Sequence, residues 1–179
     1  MSHTARNPSA AVRSGYPGAT ALHGPGPAPA VVRAAFALWV TAVAAGAFET
    51  VLAIGRMLSD SSGSAAGIIM GLAVRLPVFT AAILVARRMR GGRGWARIAL
   101  TLGLGVLGTA SMVAQPIRAL AQGHSLSWEL AQSGPMDLLF TASRTVHVCS
   151  VLTAVVLMFL PAANVYFRAT RDGGRASLR

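Results

Sequence analysis

Four ionisable residues stand inside otherwise apolar stretches of the sequence: Glu49, Arg75, Arg144 and His147. Charged groups are costly in apolar surroundings unless they are paired, hydrogen-bonded or hydrated. One carboxylate can pair with one guanidinium and leave the other free, and an imidazole exchanges its proton near neutral pH. These residue types therefore indicate either an ion pair that fixes helix register, or a site for an anion or a proton-linked step.

The stretches that hold these residues have the length of membrane spans. They cover residues 34–55, 65–86, 98–117 and 138–160. At about 1.5 Å per residue, each helix would cross a hydrocarbon layer of about 30 Å. Only 12% of the chain is charged, about half the share that is usual in soluble domains. The sequence predicts an all-α, polytopic membrane protein with a four-helix transmembrane bundle over residues 31–168.

The two ends of the chain differ from the bundle in composition. Residues 1–30 are rich in Pro, Gly, Ala and Ser and show no apolar periodicity, which predicts a disordered tail. Residues 169–179 form a short basic tail. We expect both tails to be cytoplasmic.

Arginine distribution predicts the orientation. Segment 87–97 holds five arginines and segment 168–179 holds four, whereas segments 56–64 and 118–137 hold one each. Cytoplasmic loops carry the excess of basic residues, so both termini and the second loop are predicted to face the cytoplasm, in a multi-pass protein of the plasma membrane. A net charge of +11 can also indicate nucleic-acid binding, but clustering at the ends of apolar stretches argues against that partner and for a lipid bilayer.

Depth in the bilayer groups the ionisable residues. Glu49 and Arg144 fall roughly 7 and 9 Å from the outer boundary, and Arg75 and His147 roughly 15 Å from it. Glu49 is the only acidic residue in any stretch, so depth favours its pairing with Arg144. We predict one intramembrane polar cluster of the four residues, with excess positive charge met by carbonyls, water, an anionic ligand or a lipid head group.

Arg75 is expected to face protein or water, because a lipid-facing arginine at this depth costs about 2.5–3.5 kcal/mol. Pro77 follows two residues later. It is expected to kink the helix and to free the carbonyl of Ala73 for contact with the guanidinium.

The glycines in the apolar stretches are interpreted as packing residues. Gly103, Gly105 and Gly108 formally match the dinucleotide pattern G-x-G-x-x-G, but they lie inside an apolar stretch rather than between a strand and a helix. Gly67 and Gly71 form a G-x-x-x-G pair. Both sets predict close helix packing.

Two segments carry a resemblance to a known group of proteins. RGGRGWARIAL before the third stretch and FLPAANVYFR after the fourth resemble the small four-span integral membrane proteins of actinobacteria, a family of unknown function. The resemblance covers about residues 33–168. It implies a four-helix membrane fold and no particular activity.

Enzyme chemistry has little support in the sequence. No paired carboxylates or known catalytic motifs occur. His147 is the only histidine in a stretch, so one chain cannot supply two histidines to haem, and no cofactor or metal is predicted. Cys149 is the only cysteine and is expected to be a small buried residue. We therefore predict a non-enzymatic accessory or scaffold protein that associates with other membrane proteins or with itself. The alternatives are a small transporter of an anion or proton-linked solute and, less favoured, a membrane enzyme.

Overall fold

The computed structural model describes residues 26–60, 63–123 and 134–176, and every regular element in these ranges is helical. The all-α prediction is confirmed. The elements are α1 (Ala30–Ser59), α2 (Ala65–Arg90), α3 (Gly94–Leu100), a π-helical segment (Thr101–Gly108), α4 (Thr109–Ala121), α5 (Pro135–Phe159) and α6 (Pro161–Ala176). Most of the tail predicted at residues 1–30 lies outside the described residues.

Four helices in the described ranges are long and apolar enough to cross a membrane: Ala30–Ser59, Ala65–Arg90, Gly94–Ala114 and Pro135–Phe159. They correspond in order to the four predicted stretches. The third combines α3, the π-helical segment and the start of α4 in one uninterrupted helical run.

Local sequence signals explain where these helices begin. The Ser64 side chain caps α2 by accepting a hydrogen bond from the backbone N–H of Gly67. Pro135 occupies the first turn of α5, where a missing N–H is harmless. Pro161 begins α6 directly after a bend at Leu160. The basic segment after the fourth stretch is therefore helical through Ala176.

The main packing interface joins α1 and α5, which run antiparallel. Its residues on α1 recur at alternating intervals of three and four, the spacing of a helix-packing seam. The buried set on α1 is Val32, Ala35, Trp39, Ala42, Gly46, Glu49 and Thr50. On α5 it is Ser143, His147, Ser150, Val151, Ala154 and Met158. The interface is thus apolar towards one end and polar towards the other.

The apolar end coincides with the arginine-rich loop between α2 and α3. Arg97 donates a 2.6 Å hydrogen bond from Nη1 to Oδ1 of Asn164, and the Tyr166 hydroxyl donates to the carbonyl of Arg90. The two segments that carry the family resemblance therefore contact each other. Thr170 extends the contact by donating to the carbonyl of Gly92.

The outer surfaces of the four long helices differ in how much of them is covered. We compare the most apolar 18-residue window of each helix. In α1 and in α5, 33% of the residues in that window are buried, whereas in α2 only 6% are buried. Besides its neighbour α3, α2 packs mainly against α1. Most of the apolar surface of α2 therefore has no covering helix within the described part of the chain.

Candidate functional site

Glu49 on α1 and Arg144 on α5 form an ion pair in the polar half of the α1–α5 interface. Nη2 of Arg144 lies 3.6 Å from Oε2 of Glu49, which is too long for a good hydrogen bond. The Glu49 side chain is 10% exposed and that of Arg144 is 43% exposed. The carboxylate is thus enclosed by the helices while the guanidinium reaches their surface.

The pair leaves hydrogen-bonding capacity unused. Oε1 of Glu49 and Nε of Arg144 are both buried, and neither has a hydrogen-bond partner among the described residues. Buried polar atoms in native structures are nearly always satisfied. Oε1 is a hydrogen-bond acceptor and Nε is a donor. A water molecule or a small polar ligand that both donates and accepts could therefore form hydrogen bonds with both atoms.

His147 contacts the backbone of α1 instead of joining the ion pair. Its Nδ1 lies 2.7 Å from the carbonyl oxygen of Ala42. A carbonyl oxygen only accepts hydrogen bonds, so Nδ1 is the donor in this contact. Ser143 makes a similar contact, donating to the carbonyl of Ala45 over 3.1 Å. Both side chains therefore tie α5 to α1 in a fixed register.

Gly46 makes these approaches possible. A Cβ added at this position would lie 3.2 Å from Cε1 of Phe79 and 3.7 Å from Nδ1 of His147. Phe79 is on α2 and His147 is on α5, so side chains from both helices pack against α1 at Gly46. Thr50, one turn further on, donates to the Gly46 carbonyl and is also buried.

Arg75 lies apart from the other three predicted residues. Its side chain is exposed, and it makes no hydrogen bond or ion pair with any residue that the structure describes. The predicted contact with the Ala73 carbonyl is not formed. The helix α2 continues through Pro77 without a break in its helical assignment. The structure thus brings Glu49, Arg144 and His147 to one interface and leaves Arg75 outside it.

Arg75 instead borders a cavity that sequence reasoning missed. A partly open space of about 240 Å³ lies between α1 and α2, and we call it the α1–α2 crevice. Its walls are apolar or glycine except for Thr50 and Arg75. It is lined by Thr50, Ala53, Ile54 and Met57 of α1 and by Gly67, Ile68, Gly71, Leu72, Val74 and Arg75 of α2. The one signal in the sequence is the G-x-x-x-G pair of Gly67 and Gly71, which predicts close helix packing.

The glycines divide between packed and open positions. A Cβ at Gly105 would lie 3.2 Å from Val155 on α5, which agrees with close packing there. At Gly71 and Gly103 an added Cβ would meet nothing within 4 Å, and at Gly67 it would meet only Ser64. The prediction of close packing is therefore wrong for these three glycines within the described chain. Cys149 is exposed, so the expectation that it is buried is also wrong.

A second ion pair joins α1 and α5 at the end remote from the arginine-rich loop. Nη1 of Arg56 lies 2.8 Å from Oδ1 of Asp137, one residue beyond the apolar stretches 34–55 and 138–160. The hydrogen bond from Arg56 holds the pKa of the exposed Asp137 carboxyl below its usual value. Because the carboxyl pKa is lower in the folded state, the ion pair stabilises the fold at pH values above the carboxyl pKa of the unfolded chain. This stabilisation is lost as the pH falls through the carboxyl pKa of the folded chain.

Comparison with known proteins adds no assignment to this geometry. No protein-family model matches the chain, and neither the curated proteins nor the solved structures give a match. Among the described residues, no group of three or more His, Cys, Asp or Glu side chains is placed to hold a metal ion.

Proposed function

We propose that the chain is an integral membrane protein of the plasma membrane that acts by helix–helix association, as a non-enzymatic accessory or scaffold. The observation that carries this proposal is the state of α2, whose apolar window is 6% buried and whose Arg75 has no partner among the described residues. In lipid, an unpaired arginine near the middle of a span costs about 2.5–3.5 kcal/mol. A helix from another chain would remove that cost by covering the residue.

The arginine distribution supports the orientation that we propose. The arginine-rich loop between α2 and α3 lies at the same end of the bundle as the start of α6, as the hydrogen bond between Arg97 and Asn164 demonstrates. We propose that this end is cytoplasmic, with both termini, and that the chain belongs with the small four-span proteins of actinobacteria that it resembles.

Photo-cross-linking in native membranes tests this function. A photoreactive residue at Val74, which is 59% exposed on α2, is compared with one at Val156, which is 62% exposed on α5. We expect discrete protein adducts from position 74 and only lipid adducts from position 156. The absence of protein adducts at position 74 would refute the scaffold function.

A second candidate, a small transporter for an anion or proton-linked solute, is favoured by the unsatisfied atoms Oε1 of Glu49 and Nε of Arg144. The walls of the α1–α2 crevice argue against it, because they are mostly apolar and hydrated ions need polar linings. Exchanging Glu49 and Arg144 separates the two roles. Retained abundance with a lost cellular phenotype favours a ligand site, whereas retained abundance and phenotype favour a structural pair.

A further inference from the structure

The α1–α2 crevice has a charge requirement that no acidic residue in the described part of the chain meets. Of the five acidic residues, Glu49 is 8% exposed and paired with Arg144. Asp137 is paired with Arg56, and Asp60 directly follows the C-terminal end of α1. Asp172 is in α6, at the opposite end of the bundle. The fifth, Glu129, lies outside the described residues, in the segment 118–137 between the third and fourth apolar stretches.

Depth favours a carboxylate on a spanning helix over a lipid head group as the source of the missing charge. Arg75 follows Ala65, the first residue of α2, by ten positions, so it lies about 15 Å along the helix. That is half of a hydrocarbon layer of about 30 Å. A phosphate at the membrane surface does not reach this depth, whereas a carboxylate carried on a spanning helix does.

A second copy of the chain is excluded for a related reason. Glu49 is the only acidic residue within the apolar stretches, and in each copy it is enclosed between α1 and α5. A partner that neutralises Arg75 must therefore be a different protein.

The glycines in the crevice wall allow a helix to approach closely. Gly67 and Gly71 lie on the α2 wall, and a Cβ added at Gly71 would meet nothing within 4 Å. Small residues let the backbones of two helices approach closely in lipid. A volume of about 240 Å³ accommodates one or two side chains of an incoming helix.

We infer that the α1–α2 crevice receives a membrane-spanning helix of another protein, which places an aspartate or glutamate against Arg75. This inference rests on the proposed function and adds the chemistry of the partner to it.

Binding of designed helices to the full-length chain in phosphatidylcholine vesicles tests the inference. The probes are Leu/Ala helices of about 21 residues with Asp, Asn or Leu at the centre, and association is measured by energy transfer from a dye on the chain. We expect the Asp helix to bind about five- to thirtyfold more tightly than the Leu helix. The Asn helix should fall between them, because it donates and accepts without charge.

Three variants and a matched control locate the contact. Arg75→Gln should remove the preference for Asp, and Arg75→Glu should transfer the preference to a helix with a central Lys. Gly71→Leu should weaken binding of every probe by filling the crevice. Gly103→Leu adds the same side chain at another exposed glycine with open space around it and should leave binding unchanged.

Three results would overturn the inference: equal binding of the Asp and Leu helices, a preference that survives Arg75→Gln, or self-association of the chain that Gly71→Leu abolishes. The cross-linking experiment at Val74 distinguishes failure of this inference from failure of the proposed function. Adducts at Val74 without a preference for Asp mean that helix association is correct and acid recognition is wrong. If neither adducts at Val74 nor a preference for the Asp helix is found, the proposed function itself is wrong.

Discussion

At the scale of single residues, the ion pair between Glu49 and Arg144 combines an enclosed carboxylate with a half-exposed guanidinium. Such a pair adds little net stability relative to apolar replacements, but removing one partner leaves the other uncompensated. Its effect on folding is therefore best measured by comparing single and double substitutions.

Replacing Arg144 alone should destabilise the bundle more than replacing both partners. Arg144→Gln leaves the Glu49 carboxylate buried without its counter-charge, and we expect a loss of about 2 kcal/mol in the free energy of unfolding. The double variant Glu49→Gln/Arg144→Gln should lose less. Unfolding in mixed detergent micelles, followed by circular dichroism, measures both. A double variant less stable than Arg144→Gln would contradict this assignment.

Gly92 occupies a position where the backbone conformation and a close neighbour both require glycine. Its φ is +82°, and an added Cβ would lie 2.6 Å from Cγ2 of Thr170. Gly92→Ala should therefore separate the arginine-rich loop from α6 and cost about 1–2 kcal/mol from backbone conformation alone, as measured by thermal unfolding in detergent. Gly94→Ala is the control, because a Cβ there meets nothing within 4 Å. Equal effects of the two substitutions would refute the proposed role of Gly92.

At the scale of elements, α1 is the helix against which both α2 and α5 pack. It buries one seam against α5 and approaches α2 at Gly46. The π-helical segment Thr101–Gly108 is the least regular part of the third long helix, and it contains three glycines. Glycine weakens the preference for α-helical hydrogen bonding, and the Thr109 hydroxyl donates to the Leu104 carbonyl five residues earlier.

A larger side chain at Gly46 should force α1 away from both of its neighbours. We expect Gly46→Leu to lower the free energy of unfolding by about 1–3 kcal/mol, because Phe79 and the ring of His147 cannot both move aside in a packed interface. Gly55→Leu is a matched control on the same helix, at a position where an added Cβ meets nothing within 4 Å. Thermal aggregation in detergent compares the two, and a Gly55→Leu effect as large as that of Gly46→Leu would contradict the packing argument.

At the scale of the whole molecule, four helices in the described ranges have the length and composition of membrane spans. Large apolar side chains remain exposed along them, including Val51, Ile69, Leu107 and Val156. In water this surface would drive aggregation, whereas in lipid it is solvated.

The proposed topology predicts an asymmetric labelling pattern. In a Cys149→Ser background, Ser59→Cys should react with a membrane-impermeant maleimide in intact cells, because the proposed topology places the end of α1 outside. Ala169→Cys should react only after the membrane is permeabilised, because the proposed topology places α6 in the cytoplasm. Both native side chains are exposed in the structure. The reverse pattern would mean that the orientation is inverted. If both cysteine variants are labelled equally in the supernatant that remains after the membranes are sedimented, the chain is not integrated in the membrane.

The sequence by itself determined which four segments form long apolar helices and where each ionisable residue lies along its helix, but it did not predict that α6 continues as a helix through Ala176. Apolar length and backbone hydrogen bonding are local properties, so stretches 34–55 and 138–160 could be recognised without their neighbours. Depth also indicated that Glu49 and Arg144 lie at similar levels, and the structure places their side chains 3.6 Å apart.

Only the tertiary structure decided the direction in which each side chain faces around its helix axis. Depth is one coordinate, and rotation about the axis depends on which helices pack together. Arg75 was grouped with the other polar residues by depth, but α2 presents it to the α1–α2 crevice instead. The contact between Arg97 and Asn164 likewise joins positions that are 67 residues apart. Such pairings follow from packing across the whole bundle, which no local pattern records.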